Sequence, residues 1–291
     1  MLKRFLYPSG LGSGAEGTGP VITDNVIYFQ DDFETGNFSK WDNNQADNCS
    51  SPPLGTIAVT TTLPYGGSYS SEARYYMDSS GTCSPTGHAQ RIACDKWFQA
   101  STGYPNGLEE FYIRGYHRFH INPGGTEITI VGRKLFYFLD PTDAWHGVIA
   151  TALGSHAYSL SFDKGGDTVN FGSGSVRNGV PAPTSGVGLA WSVVYNWQVD
   201  TWYYIEAYVK ANSPAASGPY DGACTVWVQG LGVDPSPIEI LRVTNANFRS
   251  TLTTGIRAIR VGEQTARNTN ELIDEQRYWD NVVIANYRIG P

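Results

Sequence analysis

Between residues 26 and 285 the chain repeats one pattern: a run of strand length, apolar throughout or alternating apolar with polar, closed by a turn signal. The runs fall at 26–33, 56–61, 72–77, 111–121, 127–139, 147–153, 157–162, 168–171, 188–195, 202–210, 224–228, 238–243, 257–262 and 277–285. Pro123-Gly124-Gly125, Lys164-Gly165-Gly166 and Asp221-Gly222 between them are turn chemistry. So many short strands must bury one face each, which predicts an all-β, two-sheet antiparallel sandwich, a jelly roll, over residues 26–291. Composition agrees, since 33 glycines, 18 tyrosines and 8 tryptophans favour strands and tight turns, and two methionines leave little for helices. Any helix is expected to be a short connector, near residues 95–100 or 268–272. No internal repeat of 20–50 residues appears, which argues against a propeller or solenoid.

Residues 1–25 read as an extended Gly/Ser/Pro-rich arm without periodicity. Such an arm gains order by adding to the sheet edge or groove of a neighbouring subunit, so other subunits of an assembly are its expected partners. Its first residues, Met1 to Tyr7, imitate a signal peptide but reach Pro8-Ser9-Gly10 without the apolar stretch a Sec signal needs. No run approaches the roughly 20 apolar residues of a membrane helix. A net charge of −7 supplies no basic surplus for phosphates, so neither nucleic acid nor an anionic membrane is an expected partner. Cys49, Cys83, Cys94 and Cys224 lack metal-ligand spacing. Cys49 and Cys83 lie in Ser/Pro-rich loops, where they form either a stapling disulfide or free thiols. Cys224, on an alternating strand, belongs to the core.

The run 111–121 carries the most chemistry. Side chains alternate faces along a strand, so Phe111, Ile113, Phe119 and Ile121 form an apolar side interrupted by Gly115 and His117. Tyr112, Arg114, Tyr116, Arg118 and His120 form an aromatic and basic stripe on the other. The run 202–210 divides likewise, with Tyr203, Ile205, Ala207 and Val209 inward and Trp202, Tyr204, Glu206, Tyr208 and Lys210 outward.

Three stretches resemble the concanavalin A-like lectin/glucanase superfamily, which includes laminin-G-like modules and polysaccharide lyases. Asp31-Asp32-Phe33-Glu34-Thr35-Gly36 with Trp41 looks like its first strand. Trp202 to Pro214, followed by Asp221-Gly222 and Val226 to Gly230, is similar to its long hairpin. Tyr278 to Ala285, with Ile289-Gly290, looks like its last strand. The resemblance implies a concave sheet on which the two stripes form a glycan groove, rings stacking on sugars and cations holding carboxylates or sulfates. The alternative is an ordinary exposed sheet face. It also implies a structural calcium where first and last strands meet, held by Asp32, Glu34 and Asp280, unless these acids cap strand ends or pair with Arg277 and Arg288.

A lyase on a uronate polymer needs a base for the C5 proton and a cation on the carboxylate. Tyr116 and His120 with Arg114 and Arg118 supply those types on one strand. The Arg-x-Glu-Leu, Gln-Ile-His and Tyr-x-Lys-x-Gly motifs of alginate lyases are not present, nor is the carboxylate strand of the glucanases. Glycoside hydrolysis is therefore disfavoured. Gly172-Ser173-Gly174-Ser175 is loop composition only, and His88, His146 and His156 stand singly near turns. The leading expectation is a non-enzymatic structural or adhesion module of virion type, a capsid decoration, fibre or tail protein at a virion or extracellular surface, with glycan binding. A polysaccharide lyase on an acidic glycan is the alternative.

Overall fold

The computed structural model describes residues 24–47, 55–77, 90–124, 133–139, 145–152, 157–161, 176–177, 180–181, 191–195, 198–213, 221–246, 255–265 and 273–291. Arm residues 1–23, the runs' segments 127–132 and 168–171, the connector 268–272, and Cys49 and Cys83 lie outside them.

In chain order the strands are β1 (Ile27–Asp31), β2 (Asn43–Asp47), β3 (Thr56–Thr60), β4 (Ser70–Met77), β5 (Gln90–Trp97), β6 (Glu110–Ile121), β7 (Arg133–Leu139), β8 (Trp145–Ala152) and β9 (Ala157–Ser161). They continue with β10 (Val176–Arg177), β11 (Val180–Pro181), β12 (Trp191–Val194), β13 (Trp202–Lys210), β14 (Gly222–Gly230), β15 (Ile238–Ala246), β16 (Ala258–Thr265) and β17 (Ile273–Ala285). One sheet runs β11-β10-β15-β14-β13-β6-β17-β4-β3, with β1 also paired to β17; the other runs β12-β9-β8-β7-β16-β5-β2. Both are antiparallel, and together they make the expected sandwich. The expected connector at 95–100 is instead the end of β5 followed by a single 3-10 turn, Ala100–Thr102. Its helix-compatible residues are claimed by ladder bonds to β16. Four strands, β2, β5, β10 and β11, fall in no predicted run: Asn43–Asp47 is polar, Gln90–Trp97 carries Arg91, Asp95 and Lys96 among its apolar residues, and Val176–Arg177 and Val180–Pro181 are only two residues long.

The core lies between the sheets. Phe111, Ile113 and Phe119 of β6, Tyr203, Ile205, Ala207 and Val209 of β13, and Cys224, Val226 and Val228 of β14 point into it from one side. Phe136 and Phe138 of β7 and Ile259 and Val261 of β16 meet them from the other. Each large side chain so buried contributes roughly 1.5–3 kcal/mol. Gly115 gives the Trp279 ring room here, since a Cβ would stand 3.1 Å from it and push the ring aside by a few tenths of an ångström. His117 fills the same layer, edge-on to Phe119 and Trp279 at 4.2 Å each.

On the reverse face of the second sheet a smaller cluster of Tyr137, Leu139 and Ala258 surrounds an ion pair. Arg260 donates from Nε and Nη2 to the two oxygens of Asp95 at 2.6 and 2.9 Å, with both residues buried. Removing one partner of such a pair leaves an uncompensated buried charge. Arg260→Met is expected to lower the unfolding free energy in urea by about 3–5 kcal/mol, and Arg260→Met with Asp95→Leu to recover most of it. Equal stability of the single variant and the unaltered chain would refute that account of the pair.

Candidate functional site

The sheet containing β6 turns its other side outward, and register decides what appears there. Along β6 and β13, Tyr112 faces Tyr208, Arg114 faces Glu206, Tyr116 faces Tyr204 and Arg118 faces Trp202. Across β17, Arg118 faces Tyr278, His120 faces Gln276 and Tyr116 faces Asp280. Cross-strand partners share a face, so the two sequence-predicted stripes do form one surface. Between Asp280 and Val283 the β17 register slips by one residue, a bulge at Asn281 with φ 48°. Before it Trp279 points into the core; after it Val282 and Ile284 do. The bulge thus lets one strand offer Gln276, Tyr278 and Asp280 outward while keeping its later apolar residues inside.

This surface is not one open groove. The Tyr65 ring stacks on Tyr116 with centroids 3.8 Å apart and 16° between planes, leaving Tyr116 5% exposed. Burial, and next the hydroxyl of Tyr65, push the Tyr116 phenol up to about 12. Tyr204 and Glu206 are wholly buried. The Tyr204 hydroxyl donates to Glu206 Oε2, and burial together with that carboxylate raises its pKa far above the usual phenol value. Glu206 also accepts the Ile289 backbone N–H at 2.7 Å, and Arg288 stands 4.3 Å over the Trp227 ring. The C-terminal residues therefore cover this end of the stripe. Tyr112 and Tyr208 lie at its edge with rings 5.0 Å apart, and Tyr208 and Lys210 are engaged with or opposite Glu110. Tyr116, Tyr204 and Glu206, expected to line a groove, are corrected to buried supports, because loop and tail pack over them.

The other end is open. Asp200 Oδ1 lies 2.7 Å from His120 Nδ1 and 3.0 Å from Arg118 Nη2. The side chains of His120 and Asp200 keep 29% and 49% of their exposure. Desolvation alone would raise the Asp200 carboxyl, but the hydrogen bonds from His120 and Arg118 hold it below the usual carboxylate value. In the tautomer that donates from Nδ1 to this carboxylate, the ring's lone pair sits on Nε2. Asp200 itself adopts φ 66°, and its N–H donates to Phe119 O at 2.8 Å, which fixes the carboxylate over β6. Trp202 and Tyr65 stand beside this cluster, 5.7 Å apart. Behind it Asp274 takes two bonds from Arg74 and one from Asn122 Nδ2, and Gln276 links Glu72 to the Tyr278 hydroxyl.

The three acids expected around calcium are otherwise engaged. Asp280 is buried and accepts the N–H groups of Tyr65, Gly66 and Asn281 at 2.9, 3.1 and 2.7 Å. Burial lifts its carboxyl to about 6 against the pull of those three donors. Glu34 Oε1 accepts the N–H groups of Ser68 and Tyr69, and Asp32 bonds Lys40 and the Glu34 N–H. Among the described residues no group of three metal-ligating side chains gathers. Asp280 and Glu34 clamp the 65–69 loop instead. Gly67 in that loop sits at φ +68°, where a Cβ would meet Glu34 Oε1 at 2.4 Å.

Sequence reasoning missed Asp200, Tyr65, Asp274, Gln276 and Tyr278. Alternation across 273–279 would have found the last three, since they share a parity; Asp200 and Tyr65 sit in turns whose reach no periodicity reveals.

No protein-family model matches the sequence, and no curated protein matches it. The fold is similar to that of an endo-β-1,4-glucuronan lyase from the fungus Trichoderma reesei, at 13% identity over 90% of this chain and 96% of that one, with a TM-score of 0.57. It is also similar to the cellulose-induced protein Cip1, at 17% identity over 90% and 99% of the two chains, with a TM-score of 0.53. The chain therefore shares the all-β, two-sheet jelly-roll fold of these two proteins.

Proposed function

We propose that this protein is a polysaccharide lyase that cleaves a uronate-containing glycan by β-elimination. The observation that carries the reading is the His120–Asp200–Arg118 cluster on the open end of the sheet, beside the Trp202 and Tyr65 rings. The similarity in fold to a glucuronan lyase supports it; nothing comparable supports a virion component.

In this mechanism a sugar stacks against Trp202 and Tyr65. Arg118, held in place by Asp200, draws electron density from the uronate carboxylate and acidifies the C5 hydrogen. His120 Nε2 takes that proton, and Asp200 stabilises the imidazolium. The C5–H pair becomes the C4–C5 double bond, the C4–O4 bond breaks, and the departing oxygen receives a proton from the imidazolium. No redox partner is needed. Tyr116, considered as a base from sequence, is covered by Tyr65 and its proton is held too tightly, so the role falls to His120.

Incubation with glucuronan and other polyuronates is expected to release unsaturated uronates, followed by their ultraviolet absorbance. His120→Ala should slow this by about 10²-fold or more. A panel of uronate polymers yielding no unsaturated product would reject the reading. The Asp200 carboxyl should titrate below 3.8 in a carbon NMR experiment and rise toward that value in Arg118→Met. Because its folded value is depressed, the link contributes at pH above 3.8 and is lost as pH falls through the folded value. A carboxyl titrating above 3.8 would remove Asp200 as the group that orients His120.

A further inference from the structure

We propose that the cavity bounded by β1, β6 and β17 is a second sugar subsite, built for one uronic acid residue whose carboxylate meets Arg114. It has a volume of about 140 Å³ and is lined by Gln30, Asp31, Asp32, Arg114, Asn281, Val282 and Val283. An enclosed cavity of about 150 Å³ holds benzene, so this partly open one seats the carboxylate-bearing edge of a sugar ring and leaves the rest of the ring at its mouth.

The charges of the lining point to the ligand's chemistry. Asp31 is fully engaged, accepting the Phe33 N–H at 3.0 Å and the Trp41 indole N–H at 2.7 Å while Lys40 stands 3.2 Å away. Asp32 takes the same lysine at 3.3 Å and the Glu34 N–H. Arg114 is different. Its guanidinium reaches only two backbone carbonyls among the described residues, Gly290 at 3.4 Å and Asn281 at 3.3 Å, and its Nε is buried without a partner. A guanidinium with unused donors in a small polar cavity favours a planar anion, and a carboxylate matches its fork. The amides of Gln30 and Asn281 and the Asp32 carboxylate give hydroxyl groups both donors and acceptors. A cation for the carboxylate together with amide and carboxylate partners for hydroxyl groups describes a uronate rather than a neutral hexose or a bare anion.

Arg114 and Arg118 lie on one face of β6 four residues apart, roughly 13 Å, with the Tyr65–Tyr116 stack between them. Assigning the cavity to the same polymer as the His120 cluster rests on the lyase reading; the cavity's preference for a uronate does not.

Calorimetric titration with sodium glucuronate is expected to show binding that Arg114→Met weakens at least about tenfold, a loss of about 1.4 kcal/mol. His120→Gln should leave that binding in place, and glucose should not reproduce it. Arg114→Lys, which keeps the charge but loses the fork, should fall between, and Gln30→Ala offers a substitution away from the sheet interior should Arg114→Met fail to fold. Unchanged affinity in both the Arg114→Met and Gln30→Ala variants overturns the proposal, as does equal binding of sodium acetate, which would mark a general anion site. Glucuronate binding that depends on Arg114, in a protein that yields no unsaturated product, would sink the lyase reading and leave the subsite standing.

Discussion

Every feature of the outward surface depends on which side of β6, β13 and β17 is buried. Phe111, Ile113, Phe119, Ile205, Val209, Trp279 and Ile284 press against Phe136, Phe138, Ile259 and Val261 of the facing sheet. Each burial contributes roughly 1.5–3 kcal/mol, whereas an exposed pair such as Arg118–Asp200 is worth about 1 kcal/mol at most. The core therefore sets the register, and the polar side follows without choice. A slip of one residue would carry Arg114 and Arg118 into the interior and expose the phenylalanines, at a cost no surface interaction could offset. The chemistry of this face is inherited from its packing.

Where strict alternation would have failed, the chain breaks it once. The bulge at Asn281 reverses the parity of β17, so Trp279 and Val282 both enter the core although three positions separate them. It also brings Asp280 outward at the point where β4 gives way to β1 as the neighbour of β17. There the buried Asp280 and the adjacent Glu34 hold the N–H groups of residues 65, 66, 68 and 69. Keeping two carboxylates so close is unfavourable, and burial with the Glu34 charge lifts Asp280 to about 6. What the arrangement secures is the position of Tyr65 over Tyr116, which divides the surface into a His120 end and an Arg114 end.

The strand-scale features were legible because period-two burial is written in consecutive residues. Both stripes, the inward set of β13 and the core position of Cys224 could be read from alternation alone. Strands β2 and β5 escaped because their exposed or ion-paired positions, such as Asp95 and Lys96, interrupt the apolar pattern, and only the partner Arg260 on β16 makes Asp95 an interior residue. Exposure along the stripe was not legible either. Nothing in Tyr204 or Glu206 announces that Ile289, more than eighty positions away, will lie over them. The same holds for Asp200, which reaches Arg118 and His120 from a turn. Local periodicity gives a residue its face; only long-range contacts decide whether that face sees water.

The electrostatics of the surface fit recognition by contact rather than by attraction at a distance. A net charge of −7 would repel an acidic polymer over long range. At physiological ionic strength, however, such fields fade within about 8 Å. On the proposed lyase reading Arg114 and Arg118, roughly 13 Å apart along one strand, serve as two separate short-range contacts, each for one carboxylate. Lys40 and Arg74 are already matched by Asp31, Asp32 and Asp274. On that reading Arg114, which no carboxylate pairs among the described residues, is the cation at which a uronate's negative charge gains most, whereas Arg118 already shares its charge with Asp200.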